Sequence, residues 1–166
     1  KNNYKKSFQP SLLVAHIEKP DAKDASDRIN FKMDEKAKNE TDSPETGNQY
    51  FLRLELPIGK YEIIGLTSIA RFFPIQGFFF TPIHTTLEAK EPGIFYLGHV
   101  NAVVRERTEG EFKAGGSIPL IDQAVIGASG GTFDVEIKDD WLTDENMFIT
   151  RFPALKGASV QKAILP

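Results

Sequence analysis

Apolar and polar residues alternate with a period of two along most of this chain, and that pattern restricts it to strands whose two sides meet different surroundings. In "RINFKMD" the residues Ile29, Phe31 and Met33 share one side, and in "QYFLRLEL" Tyr50, Leu52, Leu54 and Leu56 do. "SLLVAHIE", Ser11 to Glu18, is apolar on both sides, as expected of a strand inside a sheet or between layers. "KYEIIGLTSIARF" predicts a long strand, and Pro74 and Gly77 then punctuate a turn into a paired strand, "GFFFTPIHTTLEA". "EPGIFYLGHVNAVVRERTEGEF" predicts extended chain from Ile94 to about Arg107. "SIPLIDQAVIG" and "TFDVEIKD", joined by "ASGG", predict a hairpin with Phe133, Val135 and Ile137 inward.

Two segments depart from alternation. Residues 34–48, "DEKAKNETDSPETGN", carry almost nothing apolar and are expected to form a mobile loop between strands. "DDWLTDENMFITRFPALKG" has helix chemistry: Thr143 as N-cap, Asp144 and Glu145 at the positive end of the dipole, Leu142 placed to pack on Met147, and Pro153 as terminator. Phe148, Phe152 and Leu155 would face the sheet. The fold class expected is all-β, an immunoglobulin-like or transthyretin-like sandwich of about seven or more strands with a short C-terminal helix. Residues 1–10 are read as a tether, and residues 11–166 as one sandwich domain with a C-terminal hairpin and helix extension.

In "ELPIGKYEIIGL", Pro57 fixes φ before a tight connection, Gly59 can take positive φ, and Tyr61 enters the next strand. This L-P-x-G-x-Y resembles the transthyretin-like, or prealbumin-like, β-sandwich domains. "PGIFYLG", Pro92 to Gly98, is similar to a bacterial lipoprotein family of unknown function that shares the sandwich. The resemblance implies an envelope location and no reaction.

A length of 166 residues suits one domain with a single core. With 20 basic and 23 acidic residues the net charge of -3 provides no global attraction for nucleic acid. The absence of cysteine removes thiol catalysis, disulfides and cysteine-bound zinc. No apolar run approaches the roughly 18 residues of a membrane span. The basic, polar start "KNNYKK" suits a tether after a lipid-anchoring residue, so the chain is expected to be exported, periplasmic or outer-membrane-associated, with a lipid anchor upstream of Lys1.

His16, His84 and His99 sit in predicted strands without the spacing of a zinc or hydrolase motif. "FKAGGSIP" and "IGASGGTFD" lack the lysine or the following helix of a phosphate cradle and read as turns. Asp139, Asp140, Asp144 and Glu145 lack the ligand order of a calcium loop and read as a helix start. "NET" at Asn39 is an acceptor sequon on an exposed loop. No catalytic, cofactor-binding or metal residue is assigned, and no cofactor is expected. The candidate functional surface is aromatic: consecutive Phe78, Phe79 and Phe80 cannot share one side of a strand, nor can Phe72 and Phe73. The uncovered members await the C-terminal helix or extension, or else an envelope protein partner or a lipid surface. The function expected is a non-enzymatic binding or structural module of the cell envelope. The alternative is a hydrolase-type enzyme whose site is assembled from loop carboxylates and a strand histidine.

Overall fold

The computed structural model describes residues 1–116 and 121–166. Strand takes 43% of the chain and helix 15%, which makes the fold an all-β sandwich. Its larger layer is a four-stranded antiparallel sheet of β1 (Ser11–Glu18), β2 (Arg28–Lys32), β5 (Gly59–Phe72) and β6 (Ile75–Ala89) in the order β2-β1-β5-β6. Two-residue strands β3 (Lys38–Asn39) and β4 (Gln49–Tyr50) pair beside it. Opposite lie β7 (Ile94–Tyr96), β8 (His99–Glu106) and β9 (Gly131–Lys138). β8 pairs with β9 antiparallel, and β7 pairs in parallel with β10 (Val160–Lys162), the extended piece that follows the C-terminal helix. Helix α1 (Ile121–Val125) lies on β6, and helix α2 is Trp141–Arg151.

Register follows the alternation. On the inner face of the large sheet Ile29, Ile17 and Ile63 form one row, and Phe31, Ala15, Leu66 and Thr81 the next. The outer face carries His16 opposite Gly65 and Pro82, where a Cβ on Gly65 would sit 2.6 Å from the Phe80 ring. Between Ile63 and Gly65 the pairing shifts, with the extra residue in β6, and His84 takes φ +46 in that bulge. The connection "ELPIGKYEIIGL" also finds its explanation. Tyr61 Oη donates to Pro57 O at 2.8 Å, so the tyrosine ties the entry of β5 back onto the chain four residues earlier. Gly59 starts β5 at φ +158, a value that favours glycine.

Several expectations are corrected. Residues 1–10 are not a loose tether: Asn3 N and Tyr4 N donate to Val104 O, Val104 N donates to Lys1 O, and Asn2 is fully buried. Asn2 Nδ2 donates to Phe8 O at 3.0 Å and Ile126 O at 2.9 Å, while its Oδ1 accepts from Tyr4 N and Lys5 N. A polar residue whose every hydrogen-bonding group is satisfied can be buried, and polarity alone misread this segment. The C-terminal hairpin is replaced by α1 followed by β9. Residues 117–120 of its expected first strand lie outside the described residues, but Ile121–Val125 is helical and β9 pairs with β8. Gly127 at φ +86 ends α1, with Ala128 N donating to Gln123 O and Gly127 N to Ala124 O, the two bonds of a left-handed helix cap.

"QYFLRLEL" forms a ladder only at Gln49–Tyr50, because the rest of it has no strand partner. The loop of residues 34–48 is built into the fold: Ala37 is buried, and Asn48 Oδ1 accepts from Thr41 N and Asp42 N. Helix α2 begins three residues earlier than its capping pattern suggested. Asp139 Oδ1 accepts from Trp141 N, Asp140 is the N-cap, and Leu142 is 86% exposed, so it staples nothing.

The edge of β6 is closed by side-chain chemistry. Gln123 Oε1 accepts from Phe78 N at 2.7 Å and its Nε2 donates to Phe78 O at 3.1 Å, while Phe80 N donates to Ala114 O at 2.7 Å. Gln123→Leu keeps the volume and strands both backbone groups of Phe78. It should lower unfolding free energy by about 2–4 kcal/mol in urea titration; an unchanged midpoint would show that the edge does not need this amide.

Candidate functional site

A buried, hydrogen-bonded polar group lies where β7, β8 and the start of α2 meet. Tyr96 ends β7, Gly98 at φ +112 breaks the extended run, and His99 opens β8. Lys162 of β10 donates to Asp139 Oδ2 at 2.7 Å, fixing the loop from which α2 departs. One turn into α2, Asp144 is buried, with its side chain 7% exposed. Its Oδ2 accepts from Tyr96 Oη at 2.6 Å and lies 3.1 Å from His99 Nδ1. An ionised carboxylate only accepts, so Nδ1 carries the imidazole proton and Nε2 is left for another partner. The Trp141 ring stands 4.9 Å from the Tyr96 ring. Burial first, and then the hydrogen bond and charge of Asp144, hold the Tyr96 hydroxyl well above the ordinary tyrosine range. Tyr96 therefore keeps its proton and donates a fixed hydrogen bond at ordinary pH.

His99, Asp140 and Asp144 each offer a ligand atom, all within 4.8 Å of one another. One nitrogen and two oxygens suit a zinc-like divalent ion. The hydrogen bonds from Tyr96 and His99 nevertheless account for the buried carboxylate without one.

Tyr96, His99 and Asp144 are among the residues that line a partly open cleft of about 1590 Å³ between the layers. The space follows from side-chain size. At the middle of the large sheet the inner face carries Ala15, Ser68 and Thr81, too small to reach the opposite layer, whereas Phe79 beside them meets Phe133 with ring centroids 6.1 Å apart. Large residues gather instead into two clusters, one around Phe79, Val104 and Ile126 and one around Ile17, Tyr61, Ile63 and Leu165. The unladdered chain from Phe51 to Ile58 also lines the cleft, presenting half-buried Leu52, Leu54 and Leu56. Ala15 and Ile63 are buried although they line it.

The aromatic candidates separate. Phe79 is 1% exposed and belongs to the core, so it cannot act as a partner surface. Phe80 is half-buried against His16, at 6.2 Å between ring centroids. Phe72, Phe73 and Phe78 are 67%, 96% and 52% exposed. The cover on this part of the sheet comes from Phe8, edge-on to Phe72 at 6.2 Å, and from Gln123 of α1 at Phe78. α2 instead meets Phe51 through Phe148 and Tyr96 through Trp141. His16 is saturated by Asn30 Oδ1 and Thr67 Oγ1, and His84 is exposed. The pairing of His99 with Asp144 was not visible in the sequence, because 45 residues separate them and their meeting depends on where β7 and α2 start. The one available signal was an aspartate in the first turn of the only recognisable helix.

Comparison of the chain with protein-family models, curated proteins and solved structures returns no match.

Tyr96 fixes a pH dependence. Its folded pKa exceeds the unfolded value of about 10, so its contribution to stability is complete below that pH and is lost as pH rises above it. Tyr96→Phe should be less stable at neutral pH, by about 1–3 kcal/mol, and its melting temperature should fall less steeply above about pH 10. Parallel alkaline limbs in the two proteins would contradict the assignment.

Proposed function

We propose that this chain is a non-enzymatic binding module of the bacterial cell envelope, a transthyretin-like lipoprotein domain that takes a slender apolar small molecule into its interlayer cleft. The observation that carries the binding reading is the cleft itself. At about 1590 Å³ it exceeds the roughly 300–1,000 Å³ of ordinary ligand pockets. Its walls are mainly aliphatic and aromatic, and among its polar lining residues Tyr96, His99 and Asp144 are joined by hydrogen bonds. That is the usual division of labour in a small-molecule site: apolar area for affinity, a few fixed polar groups for orientation. Support for the envelope placement is the cysteine-free composition and the likeness of "LPIGKY" and "PGIFYLG" to the envelope sandwich family, with export and a lipid anchor upstream of Lys1 belonging to the same proposal.

A fluorescent apolar probe of the anilinonaphthalene class tests the binding reading. The folded protein should bind it saturably, and Leu66→Trp, which fills the middle of the cleft, should weaken binding at least about tenfold while the protein still melts cooperatively. Absence of saturable binding, or equal binding by a folded Leu66→Trp variant, would overturn it.

The His99–Asp144 pair supports a second reading, hydrolysis with His99 as general base oriented by Asp144. Among the described residues no serine or threonine hydroxyl is hydrogen-bonded to His99, so the base would act on a water molecule. Ester or phosphoester turnover abolished by His99→Ala would establish this reading, and no turnover by the wild-type protein would remove it.

A further inference from the structure

We infer that the tip of the β5–β6 hairpin docks on an anionic lipid surface. Strands β5 and β6 pair out to Phe72 and Ile75, leaving Phe73 and Pro74 as the end of the hairpin. Phe73 is 96% exposed and Phe72 is 67% exposed, with Phe78 on the same hairpin 52% exposed. Uncovered aromatic rings at the end of a long hairpin fit the interfacial zone of a bilayer, where an aromatic ring is buried without the chain having to cross.

The charges around the tip select the kind of surface. Residues 63–87, which contain the tip, include no Asp or Glu and one cation, Arg71, which is exposed. Residues 1–17 also include no Asp or Glu, and their exposed Lys5 and Lys6 shortly precede Phe8 in the docked N-terminal segment. Phe8 packs edge-on against Phe72. Lys5 lies against Gly127, where a Cβ would sit 2.7 Å from Lys5 Cγ, and Ile126 lies against Gly77 of the hairpin in the same way. Asp122 on α1, and Glu45, which faces the charges of Lys1 and Lys6, oppose this field in part. A protein of net charge -3 thus presents aromatic rings beside exposed Arg71, with exposed Lys5 and Lys6 in the segment whose Phe8 packs on Phe72. An acidic headgroup layer complements both features at once: headgroups face the cations, and the interface beneath them accepts the rings.

Flotation of the whole chain with vesicles of phosphatidylcholine alone, or of equal parts phosphatidylcholine and phosphatidylglycerol, tests the inference. Association is expected with the anionic vesicles, weaker at high salt and weak with phosphatidylcholine alone. Phe72→Ser with Phe73→Ser should reduce it about tenfold or more, and Arg71→Glu should reduce it at least about fivefold. Both sites are exposed, so melting temperature should stay near that of the wild type. Failure to float with anionic vesicles, or equal flotation by a folded Ser variant, overturns the inference. So does concentration-dependent self-association that the Ser variant abolishes, which would assign the tip to a second copy of the chain.

Discussion

Strand β5 is hydrogen-bonded on both edges, to β6 from Gly59 to Phe72 and to β1 from Glu62 to Ile69, and these ladders position the rest of the molecule. Its start is tied down by the Tyr61–Pro57 hydrogen bond, and its far end projects as the aromatic tip. Its inner face carries one wall of the cleft. Because the pairing of β5 with β1 shifts between Ile63 and Gly65, the alternation of β5 changes phase there, and Ile63 and Ser68, five residues apart, both face inward; solid core and cleft wall come from the same irregular pairing.

The two layers are joined unevenly. At one end Phe79, Val104 and Ile126 fill the interior, and at the other Ile17, Tyr61, Ile63 and Leu165 do. Between them the row Ala15–Leu66–Thr81 and its neighbour Ser68 leave space that the chain from Phe51 to Ile58 borders without pairing to either layer. A close-packed interior would require larger residues at Ala15 and Ser68. Their small size leaves room between the layers. The Tyr96–Asp144–His99 group also lines that room, held by the parallel pairing of β7 and β10 and by the Lys162–Asp139 contact.

Strand alternation made the large sheet legible: β1, β2, β5 and β6 fall where "SLLVAHIE", "RINFKMD", "KYEIIGLTSIARF" and "GFFFTPIHTTLEA" place them. The C-terminal helix was legible as well, because acidic residues and Pro mark helix ends by local chemistry, although Asp140 and not Thr143 is the N-cap. What escaped were features set by tertiary hydrogen bonds. Asn2 and Gln123 are polar and buried, each satisfied by backbone groups far away in sequence, and composition has no means of showing that. Helix α1 is five residues long, too short for a period to register, and the apolar Val125 at its end with Ile126 after it reads equally well as strand. The site shared this fate. His99 and Asp144 were each noticed, but their pairing is a property of how two layers meet.

The account rests on the claim that small molecules enter between the layers. Methyl-resolved NMR of the protein titrated with an apolar probe tests its location directly. The account predicts saturable shifts at Ala15, Ile63, Leu66 and Leu54, which line the cleft, with Ile126 and Ala128 in the filled cluster unchanged. Shifts confined to residues beside the exposed rings of the hairpin tip, with Ala15 and Leu66 unmoved, would contradict it.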